Sequence, residues 1–125
     1  MQESKPVVLS VDDDPDVRLF LKTVLEDAGF ESVEAASAEE ALKLYKQAAP
    51  DALIVDLMME EVDAGTRLVK ELRLLGNKAP IYMLSSVGDG LNLEADYREL
   101  GLSGIFQKPI SAERLVSVLK ARLRD

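Results

Sequence analysis

The side chains able to do chemistry in this chain close short apolar runs: Asp12 and Asp13, Asp56, Ser85 and Lys108. Histidine and cysteine are absent, which excludes imidazole and thiolate as base, phosphoryl carrier or metal ligand. The work falls to carboxylates, a hydroxyl and an ammonium. Carboxylates brought together repel one another unless a cation lies between them. A hard divalent ion answers this, and Mg²⁺ suits one or two carboxylates with waters and a phosphate. Lys108 adds a point positive charge for phosphate oxygen, and Ser85 a hydroxyl donor. Cation, ammonium and hydroxyl together can spread the charge of a transferring phosphoryl group. A carboxylate can itself attack phosphorus to give an acyl phosphate. Asp56, a single acid at the end of an apolar run, is the best candidate for that role.

The elements that must position these groups are legible as alternating short apolar runs and longer helical patterns. Val7 to Val11 reads as a first strand. Asp14-Pro15 opens a helix with Asp as cap and Pro in the first turn, and Gly29 stops it. Phe30 to Ala35 is a weaker, more polar strand suited to a sheet edge. Ser37-Ala38-Glu39-Glu40 is a capping-box pattern that opens a second helix. Ala52 to Val55 is continuously apolar, as a strand covered on both faces should be. A third helix is predicted from about Ala64 to Leu75, then a strand at Ile81 to Leu84. The irregular loop Ser86 to Asn92 and a short helix at about Leu91 to Leu100 precede a fifth strand, Ile105 to Gln107. Ser111 caps a last helix carrying Leu115, Val116, Val118, Leu119 and Leu123.

This pattern is an α/β class (βα)₅ arrangement: a doubly wound, flavodoxin-like, five-stranded parallel sheet with helices on both faces. In such sheets ligands bind beyond the carboxyl ends of the strands, where the strand order reverses. For the order 2-1-3-4-5 that point lies between strands one and three. Asp12, Asp13 and Asp56 should meet there, with Ser85 and Lys108 on the neighbouring strands.

The chain has 125 residues, enough for a single domain over residues 1–125 with its core at about residues 5–123. A net charge of −8 argues against direct binding of nucleic acid or an anionic membrane. The polar start, Met1 to Pro6, does not resemble a signal peptide, and no apolar run reaches the ~20 residues that span a bilayer. A cytoplasmic domain is expected.

Four short motifs in order then carry a resemblance: Val11-Asp12-Asp13-Asp14-Pro15, Leu53-Ile54-Val55-Asp56-Leu57-Met58-Met59, Met83-Leu84-Ser85-Ser86 and Lys108-Pro109-Ile110. From about Lys5 to Leu123 the chain resembles the receiver domain of bacterial two-component response regulators, in particular those of the chemotaxis type. The resemblance implies that Asp56 takes a phosphoryl group from a histidine kinase or a histidine phosphotransfer protein. It makes Asp13 a direct Mg²⁺ ligand and Asp12 one acting partly through water. Met58 would offer a backbone carbonyl to the same metal. Ser85 would be the switch hydroxyl and Lys108 the phosphate-binding lysine. Pro109 falls where the family has a cis peptide bond. Phosphorylation would alter binding of a downstream protein target through the face of strand five and the last helices, or drive dimerisation. Such a domain assists its own phosphorylation and dephosphorylation, and is not an enzyme in the ordinary sense.

The chain departs from the family pattern in places. Glu60-Glu61-Val62-Asp63-Ala64-Gly65 stands where a Pro-Gly-containing loop is usual, and Ile105 where an aromatic switch residue is common. Met58 and Val87, flanking the acceptor, are apolar, which would give water little help in attacking a phosphoaspartate.

Other functions remain open at this level. Asp12-x-Asp14 followed by a serine and a lysine is similar to haloacid-dehalogenase phosphatases. That family needs a further acidic motif, and only Glu113 and Asp125 follow the lysine. A flavin mononucleotide carrier would need Ser, Thr or Gly where the first loop has acids. A receiver-like module that binds partners without being phosphorylated is a third reading. Asp14 reads more simply as a helix cap than as a ligand. No output domain follows, so the chain would act alone on partners or belong to a larger regulator.

Overall fold

A computed structural model describes residues 5–57, 64–85 and 101–123. Five strands run β1 (Val7–Val11), β2 (Glu31–Ala35), β3 (Ala52–Asp56), β4 (Ile81–Ser85) and β5 (Gly104–Gln107). Among the described residues the helices are α1 (Pro15–Asp27), α2 (Ala38–Ala48), α3 (Ala64–Leu74) and α4 (Ala112–Leu123). The helix predicted at Leu91 to Leu100, the Ser86 to Asn92 loop and the acidic segment from Met58 to Asp63 lie outside the described residues. All strand pairings are parallel, in the order β2-β1-β3-β4-β5, so β2 is at an edge and the order reverses between β1 and β3.

Strand alternation divides the core into two layers. Leu9, Val11, Leu53, Val55, Ile81 and Met83 pack beneath α2 and α3, with Ala41, Leu68, Val69 and Leu72. Val8, Ala52, Ile54, Tyr82, Leu84 and Phe106 face α1 and α4, against Leu21, Leu25, Leu115 and Leu119. Burying both faces explains why β3 is apolar until its last residue.

The helix ends follow from local chemistry. The Asp14 side chain accepts from Asp16 N–H at 2.9 Å, so it does cap α1, with Pro15 in the first turn. At the other end Gly29 adopts φ 94°, open to glycine without a Cβ penalty. Its N–H bonds to Glu26 O, and Phe30 N–H bonds to Leu25 O. These bonds close the helix and hold Phe30 in its last turn, so β2 begins at Glu31 and not at Phe30 as predicted. The Ser37 hydroxyl accepts from Glu40 N–H, but the Glu40 carboxylate accepts from Ala36 N–H, one residue before the cap. The capping box is therefore offset by one residue. Among the described residues no helix is long and apolar enough to cross a membrane.

Candidate functional site

Register brings the acids together. Val11 of β1 lies opposite Val55 of β3, so the next residues along the two strands, Asp12 and Asp56, emerge side by side. Both continue the alternation of Ile54 and Val8, toward the α1 side of the sheet. Asp12 is fully buried and Asp56 nearly so, whereas Asp13 is exposed. Asp12, Asp13 and Asp56 each present an oxygen, and these atoms lie within 4.8 Å of one another.

Lys108 completes the cluster from the end of β5. Ser85 pairs with Gln107, and Lys108 N–H donates to Ser85 O at 2.7 Å, which fixes where the lysine stem starts. The stem then spans β4, and Nζ lies 3.2 Å from Asp12 Oδ2 and 3.2 Å from Asp56 Oδ1. Burial pulls the Lys108 pKa down. The charges of Asp12 and Asp56 and their hydrogen bonds outweigh it, so the pKa stands above the ordinary 10.5. The Lys108–Pro109 peptide is cis.

Asp12 Oδ1 accepts from Asp14 N–H at 2.9 Å, which ties the acid to the cap of α1. Asp12 Oδ2 has Lys108 Nζ at 3.2 Å, and among the described residues it accepts no other hydrogen bond. A buried carboxylate oxygen in that state, beside two further acids, fits a hard cation. Three carboxylates against one ammonium leave a net charge of −2, which a divalent ion would neutralise.

Ser85 is buried at the end of β4, on the Met83 side by alternation. It lies at the end of the strand next to Asp56. Ile105, opposite Met83, is half-buried and packs on the α2–α3 layer. An aliphatic side chain therefore fills the position where an aromatic switch was the alternative. Met58 and Val87 lie outside the described residues.

Two residues that shape the site went unread in the sequence. Gly65, at the start of α3, sits so close to β3 that a Cβ there would collide with the Asp56 carbonyl oxygen. It would also come within 3.0 Å of Leu57 O and 3.1 Å of Leu57 Cα. Arg18 Nη1 donates to Asp12 O at 2.7 Å. A signal existed for Arg18: it follows the cap Asp14 by four residues, and so shares the helix face nearest the strand ends.

The family model for the response regulator receiver domain matches residues 8–120. The chain is 38% identical over 122 residues to the "Probable transcriptional regulator ycf27" of Guillardia theta, a match covering 98% of this chain and 47% of that protein. It thus spans about half the length of the curated relatives it matches first. The chemotaxis protein CheY of Bacillus subtilis is 32% identical over 117 residues, covering 93% of this chain and 96% of that one. Among solved structures, chemotaxis protein CheY4 of Vibrio cholerae superposes with a TM-score of 0.86 at 31% identity, covering 96% of this chain and all of that one. Strand order, acids gathered at the switch point and sequence similarity along nearly the whole chain agree, and the chain belongs to the response regulator receiver domain family.

Proposed function

We propose that Asp56 is the phosphoryl acceptor of a Mg²⁺-dependent signalling switch, charged by a histidine kinase or a histidine phosphotransfer protein. The observation that carries this reading is Lys108 Nζ at 3.2 Å from both Asp12 and Asp56, with three acids converging at the reversal of strand order. An Asp56 carboxylate oxygen forms a bond to phosphorus as the bond from phosphorus to the donor breaks. The donor leaves as a carboxylate from an acyl phosphate, or as an imidazole from phosphohistidine. Lys108 already stands against Asp56 Oδ1, so its ammonium can follow the charge onto a phosphoryl oxygen without a large movement. The Ser85 hydroxyl, one strand away, supplies a further donor once the phosphoryl group is in place.

Asp12, Asp13 and Asp56 would hold the cation, joined by the Met58 carbonyl. A bound Mg²⁺ would offset the charge of the acids and of the phosphoryl oxygens. The chain then acts as a signalling domain, one that assists its own phosphorylation and loss of phosphate. We take it as a single domain over residues 1–125, with its core at about 5–123, working in the cytoplasm. The added charge at Asp56 would rearrange the surrounding loops and alter binding of a protein target, or of a second copy, through β5 and the last helices. Ile105 supports a readout that runs through aliphatic packing in place of an aromatic rotation.

The test is incubation with Mg²⁺ and acetyl phosphate, followed by mass spectrometry. One added phosphoryl group is expected on the wild type and none on Asp56→Asn. An unmodified wild type, or an equal adduct on the variant, overturns the reading. Phosphate-ester turnover dependent on Asp12 would instead point to a phosphatase.

A further inference from the structure

Asp12 is held at each of its polar groups. Its N–H donates to Ala35 O at 3.1 Å, Oδ1 accepts from Asp14 N–H at 2.9 Å, and Oδ2 faces Lys108 at 3.2 Å. The remaining group, the carbonyl, accepts from Arg18 Nη1 at 2.7 Å. This is a short, charge-assisted bond to the peptide that joins Asp12 to Asp13. That peptide sets the direction in which Asp13 leaves the strand, and Asp13 is the exposed member of the acid cluster. Arg18 comes from α1 and is itself mostly buried, with its side chain 21% exposed. Its other partner, Glu34 Oε1, lies 3.9 Å from Nε and is 29% exposed, so that pairing contributes little.

We propose that Arg18 is a positioning residue for the cation site: its bond to Asp12 O fixes the Asp12–Asp13 peptide and so the approach of the two carboxylates. The proposal rests on the reading that these acids take a divalent cation. Two effects of Arg18 oppose each other. Its positive charge near three acids weakens cation binding, while its fixing of the peptide strengthens it by removing conformations that would otherwise be lost on binding. The guanidinium is directed at a carbonyl and not at the carboxylates, and a partner that orients a ligand commonly governs metal affinity by about 10-fold or more. Positioning therefore dominates.

The experiment is calorimetric titration of the whole chain with Mg²⁺, without phosphoryl donor, for wild type, Arg18→Met, Arg18→Lys and Glu34→Gln. Arg18→Met keeps most of the stem's packing and removes the donors. We expect its Mg²⁺ affinity to fall about 10-fold, with a smaller loss in Arg18→Lys, which is shorter and has no fork. Glu34→Gln should stay within about twofold of wild type. In acetyl phosphate labelling, the Mg²⁺ midpoint of Arg18→Met should move by the same factor, with the plateau preserved. A merely structural arginine would lower the melting temperature and leave the Mg²⁺ affinity measured on folded protein untouched. Affinity within about twofold of wild type in both Arg18 variants, or tighter binding in either, overturns the proposal. A wild type that takes up no Mg²⁺ overturns the cation reading, and this inference falls with it.

Discussion

Replacing Lys108 by methionine asks whether the ammonium occupies the electrostatic place of a cation. Nζ lies 3.2 Å from each of two carboxylate oxygens, on side chains 0% and 5% exposed. At an effective dielectric of about 20, a unit charge pair at 3.2 Å interacts by about 5 kcal/mol. Desolvation of the ammonium offsets much of this. The lysine side chain is also 23% exposed, so solvent screens part of the rest. The net loss on Lys108→Met should be about 2–4 kcal/mol, because two buried carboxylates are left facing each other. That is smaller than the ~5–15 kcal/mol typical of a whole domain, and the variant should fold. In saturating Mg²⁺ the ion replaces the missing charge, and the deficit should shrink to under about 1 kcal/mol. Urea unfolding of both chains, followed by circular dichroism in EDTA and in Mg²⁺, supplies the four stabilities needed. A deficit of equal size in both media, or none in EDTA, would refute the reasoning.

Three further outcomes are expected. Gly65→Ala drives a Cβ into the Asp56 carbonyl and against Leu57, so stability should fall by about 1–3 kcal/mol and acetyl phosphate labelling should slow; unfolding curves and mass spectrometry read the two effects, and an unperturbed variant would show that α3 yields freely. Among the described residues the fully buried Ser10 hydroxyl has no hydrogen-bond partner, so Ser10→Ala should raise stability by about 1 kcal/mol in the same urea assay; a loss of stability would mean that the hydroxyl has a partner. Finally, the folded Lys108 pKa is raised above the ordinary 10.5, so its ion pairs stabilise fully below pH 10.5 and are lost as pH rises through the folded value. In EDTA, the stability gap between wild type and Lys108→Met should therefore hold through neutral pH and narrow above pH 10.5; a gap constant across the alkaline range contradicts the assignment.

Much of the fold was legible because its signals are local. Apolar runs, caps and helix-ending glycines depend on residues a few positions apart, and they locate the described elements to within a residue or two, except the end of α2, which stops at Ala48 with Ala49 at φ 46° and no glycine to mark it. The misreadings are local as well. Phe30 reads as part of β2 because it is apolar and precedes a strand pattern, yet its N–H completes the end of α1. Ser10 reads as one more residue of a branched apolar run, and that run does not tell that its hydroxyl is buried with no partner among the described residues.

By itself the sequence determined which side chains are on hand for the proposed chemistry. With no histidine or cysteine, and with acids, a serine and a lysine closing apolar strands, a cation and a phosphoryl group are the partners those side chains suit. The tertiary structure decided how they meet. Parallel register sets Asp12 beside Asp56, Lys108 reaches over β4 to both, Gly65 lets α3 close on the Asp56 carbonyl, and Arg18 grips the Asp12 carbonyl. These contacts join residues brought together by crossovers or by a helix turning back on its strand. Distance along the chain says little about them, because register and helix approach are set by packing of the whole sheet.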